Sequence, residues 1–106
     1  MNPFPQLNLT PEQTAEARKI DKEGRRGIAL ALAHLRTVRE ALDIALLTNP
    51  RDGAGIHEKS AAVGKAVGEI TVQEALNEAR FLQILTPVQL LRCQRISSAL
   101  QRRRPQ

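Results

Sequence analysis

The chain has 106 residues, which sets a limit of one domain with a modest core. Aromatic residues make up only 2% of it, with no Trp or Tyr, and this scarcity disfavours β-sandwiches and barrels and predicts an all-α fold. The formal net charge of +5 is concentrated at the C-terminal end, because the stretch from Ala79 onward holds six of the 16 basic residues and none of the 11 acidic ones. Residues 1–8, which include two prolines, are predicted to form an extended arm, followed by a single helical domain over 9–101.

The domain opens with a pentapeptide, Leu9-Thr10-Pro11-Glu12-Gln13, that has the features of a helix start. Thr10 is a good N-cap, Pro11 suits the first helical position, and Gln13 can return a hydrogen bond to the backbone of the cap. The same pattern recurs 76 residues further along the chain, at Leu85, Thr86, Pro87 and Gln89. We therefore predict two helix starts built on the same capping box, one near each end of the domain.

Between the two boxes the sequence predicts three helices. Gly24 and Gly27 each disfavour a helix by around 1 kcal/mol relative to Ala, so we expect a break near residues 20–27 that separates a short first helix from a longer second one. The stretch 48–53 contains Asn, Pro, Asp and Gly and is predicted to be a short turn between antiparallel neighbours. A third helix is expected over about residues 54–85.

A fourth helix is predicted to start at the second box and to run to about residue 100 or 102. Its arginines suit the negative end of the helix dipole. The remaining segment, 102–106, is predicted to be a basic disordered tail. The fold class expected from the sequence is therefore all-α, with a short first helix, a long antiparallel hairpin and a C-terminal helix.

Apolar residues recur at helical spacing along both long helices. One row comprises Ile28, Leu32, Leu35, Val38, Leu42 and Ala45, and a second comprises Ile56, Val63, Val67 and Ile70. A helix this apolar must be covered on more than one side. Small residues also line up along the second long helix, at Ala61, Gly64, Gly68, Ala75 and Ala79. They permit close approach of another helix, which is either the hairpin partner or a second subunit.

The paired Leu-Thr-Pro-x-Gln boxes resemble the LTxxQ-motif family, the Spy/CpxP-like proteins of the bacterial periplasm. The run before the second box, Arg80-Phe81-Leu82-Gln83-Ile84, is also similar to that family's usual sequence. The resemblance implies a cradle-like antiparallel homodimer that acts as an ATP-independent chaperone for unfolded or partly folded proteins. It equally allows a stress- or metal-responsive signalling adaptor with a sensor protein as its partner. The location that it implies is the periplasm, although no signal peptide is visible at the N-terminus. For the box residues it implies only a structural role as helix caps.

A chaperone of this kind would hold its clients on a concave surface that is both basic and apolar. Basic side chains attract acidic groups over a distance, and apolar patches bury a little client surface. The candidate basic contacts are Arg25, Arg26, Arg36, Arg39, Lys59 and Lys65. The sequence does not decide which of them share one surface.

Metal, cofactor and enzyme chemistry find little support in the sequence. His34 and His57 lack ligand spacing, and the single cysteine, Cys93, excludes an intrachain disulfide. There is no nucleophile elbow and no glycine-rich phosphate loop, so we expect neither an enzyme nor a cofactor. The apolar run 28–35 is far too short to span a membrane.

Nucleic-acid binding is the rival class of function. A sequence pI of 10.4 and an arginine-rich C-terminal helix are the electrostatic features of a phosphate-binding protein. The absence of Trp and Tyr leaves no platform on which bases could stack, and this disfavours nucleic acid as the partner.

Overall fold

A computed structural model of the chain describes the backbone of residues 7–103 and the side chains of residues 7–95. Over this range the structure is all-α and consists of α1 (Pro11–Thr48), α2 (Gly53–Gln83) and α3 (Pro87–Arg103). The predicted fold class is confirmed, but the predicted number of helices was wrong, because the described chain forms three helices and not four. Of the predicted arm only residues 7 and 8 are described. The predicted tail begins within α3, and its residues 104–106 lie outside the described range.

The first box starts α1 as the sequence predicts. The Thr10 hydroxyl accepts a hydrogen bond from the backbone N–H of Gln13 at 3.1 Å, and the side-chain oxygen of Gln13 accepts from the N–H of Thr10 at 3.0 Å. These two bonds satisfy two of the donors that every helix start leaves free. Pro11 occupies the first helical position, where its missing N–H is not needed.

The break expected near residues 20–27 does not exist, because α1 continues through Gly24 and Gly27. Both glycines lie against side chains of α2. A Cβ built on Gly24 would overlap the side-chain amide of Asn77, and one built on Gly27 would press on the amide end of Gln73. The glycines therefore admit two polar side chains of α2 into the surface of α1. Packing of this kind outweighs the intrinsic helix penalty of glycine.

The turn between the long helices is confirmed, and it spans only four residues, 49–52. The N–H of Asn49 donates to the carbonyl of Ala45 at 3.0 Å and ends α1. The carboxylate of Asp52 accepts from the N–H of Gly55 at 3.0 Å and caps α2. Because the turn is so short, α1 and α2 pack side by side as an antiparallel hairpin.

The molecule is an elongated, thin body that measures 57 × 34 × 17 Å. Its smallest dimension is about one and a half times the diameter of one helix with its side chains, about 10–12 Å, and is too small for two stacked layers. One layer of helices has no second layer to cover its faces. For this reason the described residues with buried side chains are few: Leu7, Ile20, Ala31, Ala66, Gln89 and Cys93.

Two glycines in the row of small residues on α2 do not face the hairpin partner. Gly64 and Gly68 are exposed, and a Cβ built on either would meet no heavy atom within 4 Å. At these two positions the row therefore does not contact α1.

Candidate functional site

The two boxes, 76 residues apart in sequence, lie in contact. The side-chain N–H of Gln13 donates to the side-chain oxygen of Gln89 at 2.7 Å, and that of Gln89 donates back to the oxygen of Gln13 at 3.0 Å. We call this reciprocal pair the glutamine clasp. It ties the start of α1 to the start of α3.

Every hydrogen-bonding position of the clasp is used. Each glutamine oxygen also accepts from the backbone N–H of its own cap, at 3.0 Å for Thr10 and 2.9 Å for Thr86. The second N–H of Gln13 donates to the carbonyl of Ile84 at 2.9 Å, and that of Gln89 donates to the carbonyl of Leu7 at 3.1 Å. Two donors and two acceptor positions are all that a primary amide offers. Turning either amide over would set N–H against N–H, so the network fixes the orientation of both.

The clasp also holds the residues that precede the first box. Leu7 is only 1% exposed and is the most deeply buried large side chain among the described residues. Asn8 has a φ of 54°, in the left-handed region that asparagine tolerates, and this bend leads the chain from Leu7 into the box. On α3, Gln89 and Cys93 are each 7% exposed and lie one helical turn apart. Sequence reasoning had assigned the boxes to capping and missed their contact, although the glutamine common to both was a signal.

A histidine–carboxylate contact and an ion pair join α1 to α2 on one face of the hairpin. His34 lies 3.0 Å from Glu69, and Arg80 lies 2.7 Å from Glu23. On each helix the two partners are eleven residues apart, which is about three turns, so both pairs lie on the same face. We call it the ion-pair face. Its exposed apolar residues, by the same periodicity, are Leu30, Val72 and Leu76.

The opposite face carries the apolar rows found in the sequence. The His34–Glu69 and Arg80–Glu23 contacts show which side of α1 and which side of α2 form the ion-pair face. The opposite sides of the two helices therefore form the opposite face of the hairpin. On α1 this face holds four members of the first row, Ile28, Leu32, Leu35 and Leu42, together with Leu46, and on α2 it holds the second row, Ile56, Val63, Val67 and Ile70. The other members of the first row, Val38 and Ala45, are half-buried toward the seam. In the α1 row, Leu32 is 47% exposed, and most of the other residues in the two rows are half-buried.

Charged side chains of both signs border this apolar face, because helical spacing places Asp21 and Asp43 of α1 and Glu74 of α2 on it beside arginines. Arg39 falls within the α1 row, between Leu35 and Leu42, and Arg25 and Arg36 lie along its outer edge by helical spacing. All three arginines are exposed. We call the combined surface, formed by the two apolar rows and these three arginines, the arginine face.

The six candidate client contacts do not share one surface. Arg25, Arg36 and Arg39 belong to the arginine face, and Arg25 also pairs with Asp21 at 2.9 Å. Lys59 is half-buried near the seam between the helices. The periodicity places the other two, Arg26 and Lys65, on the side of the ion-pair face.

Titratable groups form no metal-binding cluster in the part of the chain that the structure describes. No group of three or more His, Cys, Asp or Glu side chains comes together there. His34 contacts Glu69, and His57 is exposed in the first turns of α2. The hydrogen bond from Arg80 lowers the pKa of Glu23 below its ordinary value, which is the effect of an ordinary ion pair.

None of the three helices, over their described residues, is long and apolar enough to cross a membrane. Comparison of the chain with protein-family models, with curated proteins and with solved structures gave no match. The resemblance to the LTxxQ-motif family therefore rests on the residues of the two boxes and of the segment before the second.

Proposed function

We propose that the protein is an ATP-independent chaperone of the Spy/CpxP-like type that binds unfolded or partly folded proteins on the arginine face. The observation that carries this proposal is the arginine face itself, in which two partly exposed apolar rows lie beside three exposed arginines. It is a binding protein and not an enzyme in this proposal. The resemblance places it in the bacterial periplasm.

The mechanism combines two weak forces on one surface. The arginines attract acidic segments of a client over roughly a Debye length, about 8–10 Å at moderate salt. The apolar rows then bury client side chains at roughly 25 cal/mol per Å². Because the apolar side chains are only partly exposed, each contact is small. A client can therefore rearrange and fold while it stays bound, without an energy source.

The proposal includes a homodimer, as the resemblance implies. The ion-pair face supplies a surface for the second copy, because Leu30 is 74% exposed and Val72 and Leu76 also lie open there. A single layer of helices leaves such side chains in water, and a second layer would cover them. The arginine faces of the two copies then remain free for clients.

The test is the aggregation of a denatured model protein, with and without the chain, in the absence of ATP and at low and moderate salt. We expect suppression at stoichiometric amounts, and weaker suppression at the higher salt concentration because the arginine attraction is screened. Light scattering on the same sample should give the mass of a dimer. Undiminished aggregation at low salt would refute the chaperone function and leave a signalling adaptor as the alternative within the resemblance.

A further inference from the structure

The two described residues of the arm, Leu7 and Asn8, are joined to α3 through the side chain of Gln89. Gln89 belongs to α3, and its amide donates to the carbonyl of Leu7 in the arm and to the oxygen of Gln13 in α1. The oxygen of Gln89 accepts from Gln13 and from the backbone of its own helix start. One amide therefore joins α3 to the arm and to the first turn of α1, which lie 82 and 76 residues before it in the sequence.

Apart from the clasp, α3 has a narrow attachment. Its buried side chains among the described residues are Gln89 and Cys93, which form one row along the helix. Val88, which is 62% exposed, and Leu91 face away from the rest of the molecule. In residues 87–95, the part of α3 whose side chains the structure describes, only this row is deeply buried and Leu90 is half-buried, so the apolar burial there is small.

Removal of either the arm or α3 would leave polar groups of the other segment without their hydrogen-bond partners. If Leu7 left its site, the second N–H of Gln89 would be buried with only a distant carbonyl, that of Asn8 at 3.5 Å. If α3 left, the amide of Gln13 would lose Gln89, and the carbonyl of Leu7 would lose its donor. A buried polar group without a partner is unfavourable, so each segment stabilises the docking of the other.

We propose that the arm and α3 form a latch, closed by the glutamine clasp, that docks on the hairpin and releases from it as one unit. Release exposes the buried side chains of Leu7 and Cys93. A partner that engages the arm would thereby free α3, and one that engages α3 would free the arm, because the coupling is reciprocal. The latch is a conformational device within the fold, and it does not depend on the proposed chaperone function.

Cys93 is a native reporter of latch opening, since a buried thiol reacts only when it is exposed. The rate of its reaction with an aromatic disulfide reagent, measured on the full chain under native conditions, follows the population of the open form. Hydrogen exchange of the backbone amides in residues 89–95 reports the release of α3 separately. Exchange of the amides around Ala66 reports the unfolding of the hairpin.

Two variants open the latch from opposite sides. Leu7→Ala removes the buried side chain of the arm. Gln13→Glu keeps the oxygen that caps Thr10 but removes the N–H groups that reach Ile84 and Gln89. We expect each to raise both the Cys93 reaction rate and the exchange rate over residues 89–95 about tenfold or more, by the same factor, with no change around Ala66.

Thr71→Ala is the matched control, because its hydroxyl bonds only to the carbonyl of Val67 within α2, far from the clasp. It should leave all rates within about twofold of those of the unaltered chain. If Leu7→Ala accelerated the thiol reaction and left the exchange over residues 89–95 unchanged, the arm would move by itself and the latch would be overturned. The latch would also be overturned if Gln13→Glu accelerated neither rate.

Discussion

At the scale of single residues, the side chain of each box glutamine has two tasks. It returns a hydrogen bond to its own cap, and it binds the glutamine of the other box. Thr10 and Thr86, by contrast, bond only within their own helix starts. The threonines therefore act on the local helix, whereas the glutamines act on the tertiary structure.

Replacement of a cap threonine should lower stability and leave the proposed binding surface intact. We expect Thr86→Ala to reduce the free energy of unfolding by about 1 kcal/mol, because the N–H of Gln89 loses its acceptor. Thr37→Ala, in the middle of α1, is the control and should have a smaller effect, since Ala favours a helix. Denaturant unfolding gives the stabilities, and suppression of aggregation per folded molecule should be unchanged in both variants. Lost suppression at unchanged stability would mean that the box binds clients directly.

The ion pair between Arg80 and Glu23 predicts a pH effect of definite sign. Its hydrogen bond holds the pKa of Glu23 below the ordinary value in the folded state. The stabilisation is therefore fully present above the pKa of the unfolded chain and is lost as the pH falls through the lowered folded pKa. Both groups are largely exposed, so the effect on stability is small.

Arg80→Gln should raise the pKa of Glu23 toward its ordinary value. An NMR titration of the glutamate side chain measures this change directly. Arg25→Gln is the control, since Arg25 pairs with Asp21 and should leave Glu23 as it is. An unchanged pKa in Arg80→Gln would show that other basic residues nearby, Lys19 and Arg26, dominate the shift.

At the scale of elements, the central feature is the seam where α2 inserts side chains over the two glycines of α1. The side-chain oxygen of Asn77 is buried at Gly24 and has no hydrogen-bond partner. At Gly27 the nearest atoms belong to the amide end of Gln73, which is longer and more flexible than the side chain of Asn77. The two glycines therefore differ in how much a methyl group would disturb.

Gly24→Ala should destabilise the hairpin, in spite of the better helix propensity of Ala. The new methyl group would displace the short side chain of Asn77, and overpacking of this kind typically costs about 1–3 kcal/mol. Gly68→Ala is the matched control: its methyl group would meet open space, so we expect stabilisation by up to about 1 kcal/mol. The double variant Gly24→Ala/Asn77→Ala should recover most of the loss. Thermal and denaturant unfolding measure the stability of all three variants. An increase in the stability of Gly24→Ala would contradict the close packing of Asn77 against Gly24.

At the scale of the whole molecule, the thinness of the body decides what its surfaces offer. One layer of helices buries only the seam and the clasp region, and it leaves two faces of different chemistry. The arginine face combines apolar rows with basic side chains. The ion-pair face has the Arg80–Glu23 ion pair and the His34–Glu69 contact across the helices, with exposed apolar residues around them. In the proposed function, clients bind the first and a second copy binds the other.

Matched substitutions on the two faces should separate these roles. Leu32→Ser on the arginine face should weaken suppression of aggregation several-fold, because it removes apolar area at the centre of the client surface, and should leave the mass in solution unchanged. Leu30→Ser on the ion-pair face should shift the mass toward that of a monomer while suppression per chain stays within about twofold. Light scattering and the aggregation assay measure both effects. Loss of suppression in Leu30→Ser alone would reverse the assignment of the faces.

The sequence by itself determined the elements that local chemistry controls. Thr10, Pro11 and Gln13 form a complete helix start, and the turn before Gly53 follows from its own residues. Both could therefore be predicted without knowledge of any contact with a distant part of the chain. The apolar rows of α1 and α2 likewise follow from spacing alone. For the same reason the all-α class was predictable from composition.

Only the tertiary structure decided what depends on contacts between distant residues. Gly24 reads locally as a helix break, but α1 continues there because Asn77 fills the space that a side chain would occupy. The pairing of Gln13 with Gln89, and the separation of the basic residues onto two faces, depend on how α1, α2 and α3 pack. Local propensities amount to about 1 kcal/mol per residue, and packing across the hairpin is of that size or larger, so tertiary contacts prevail wherever the two disagree.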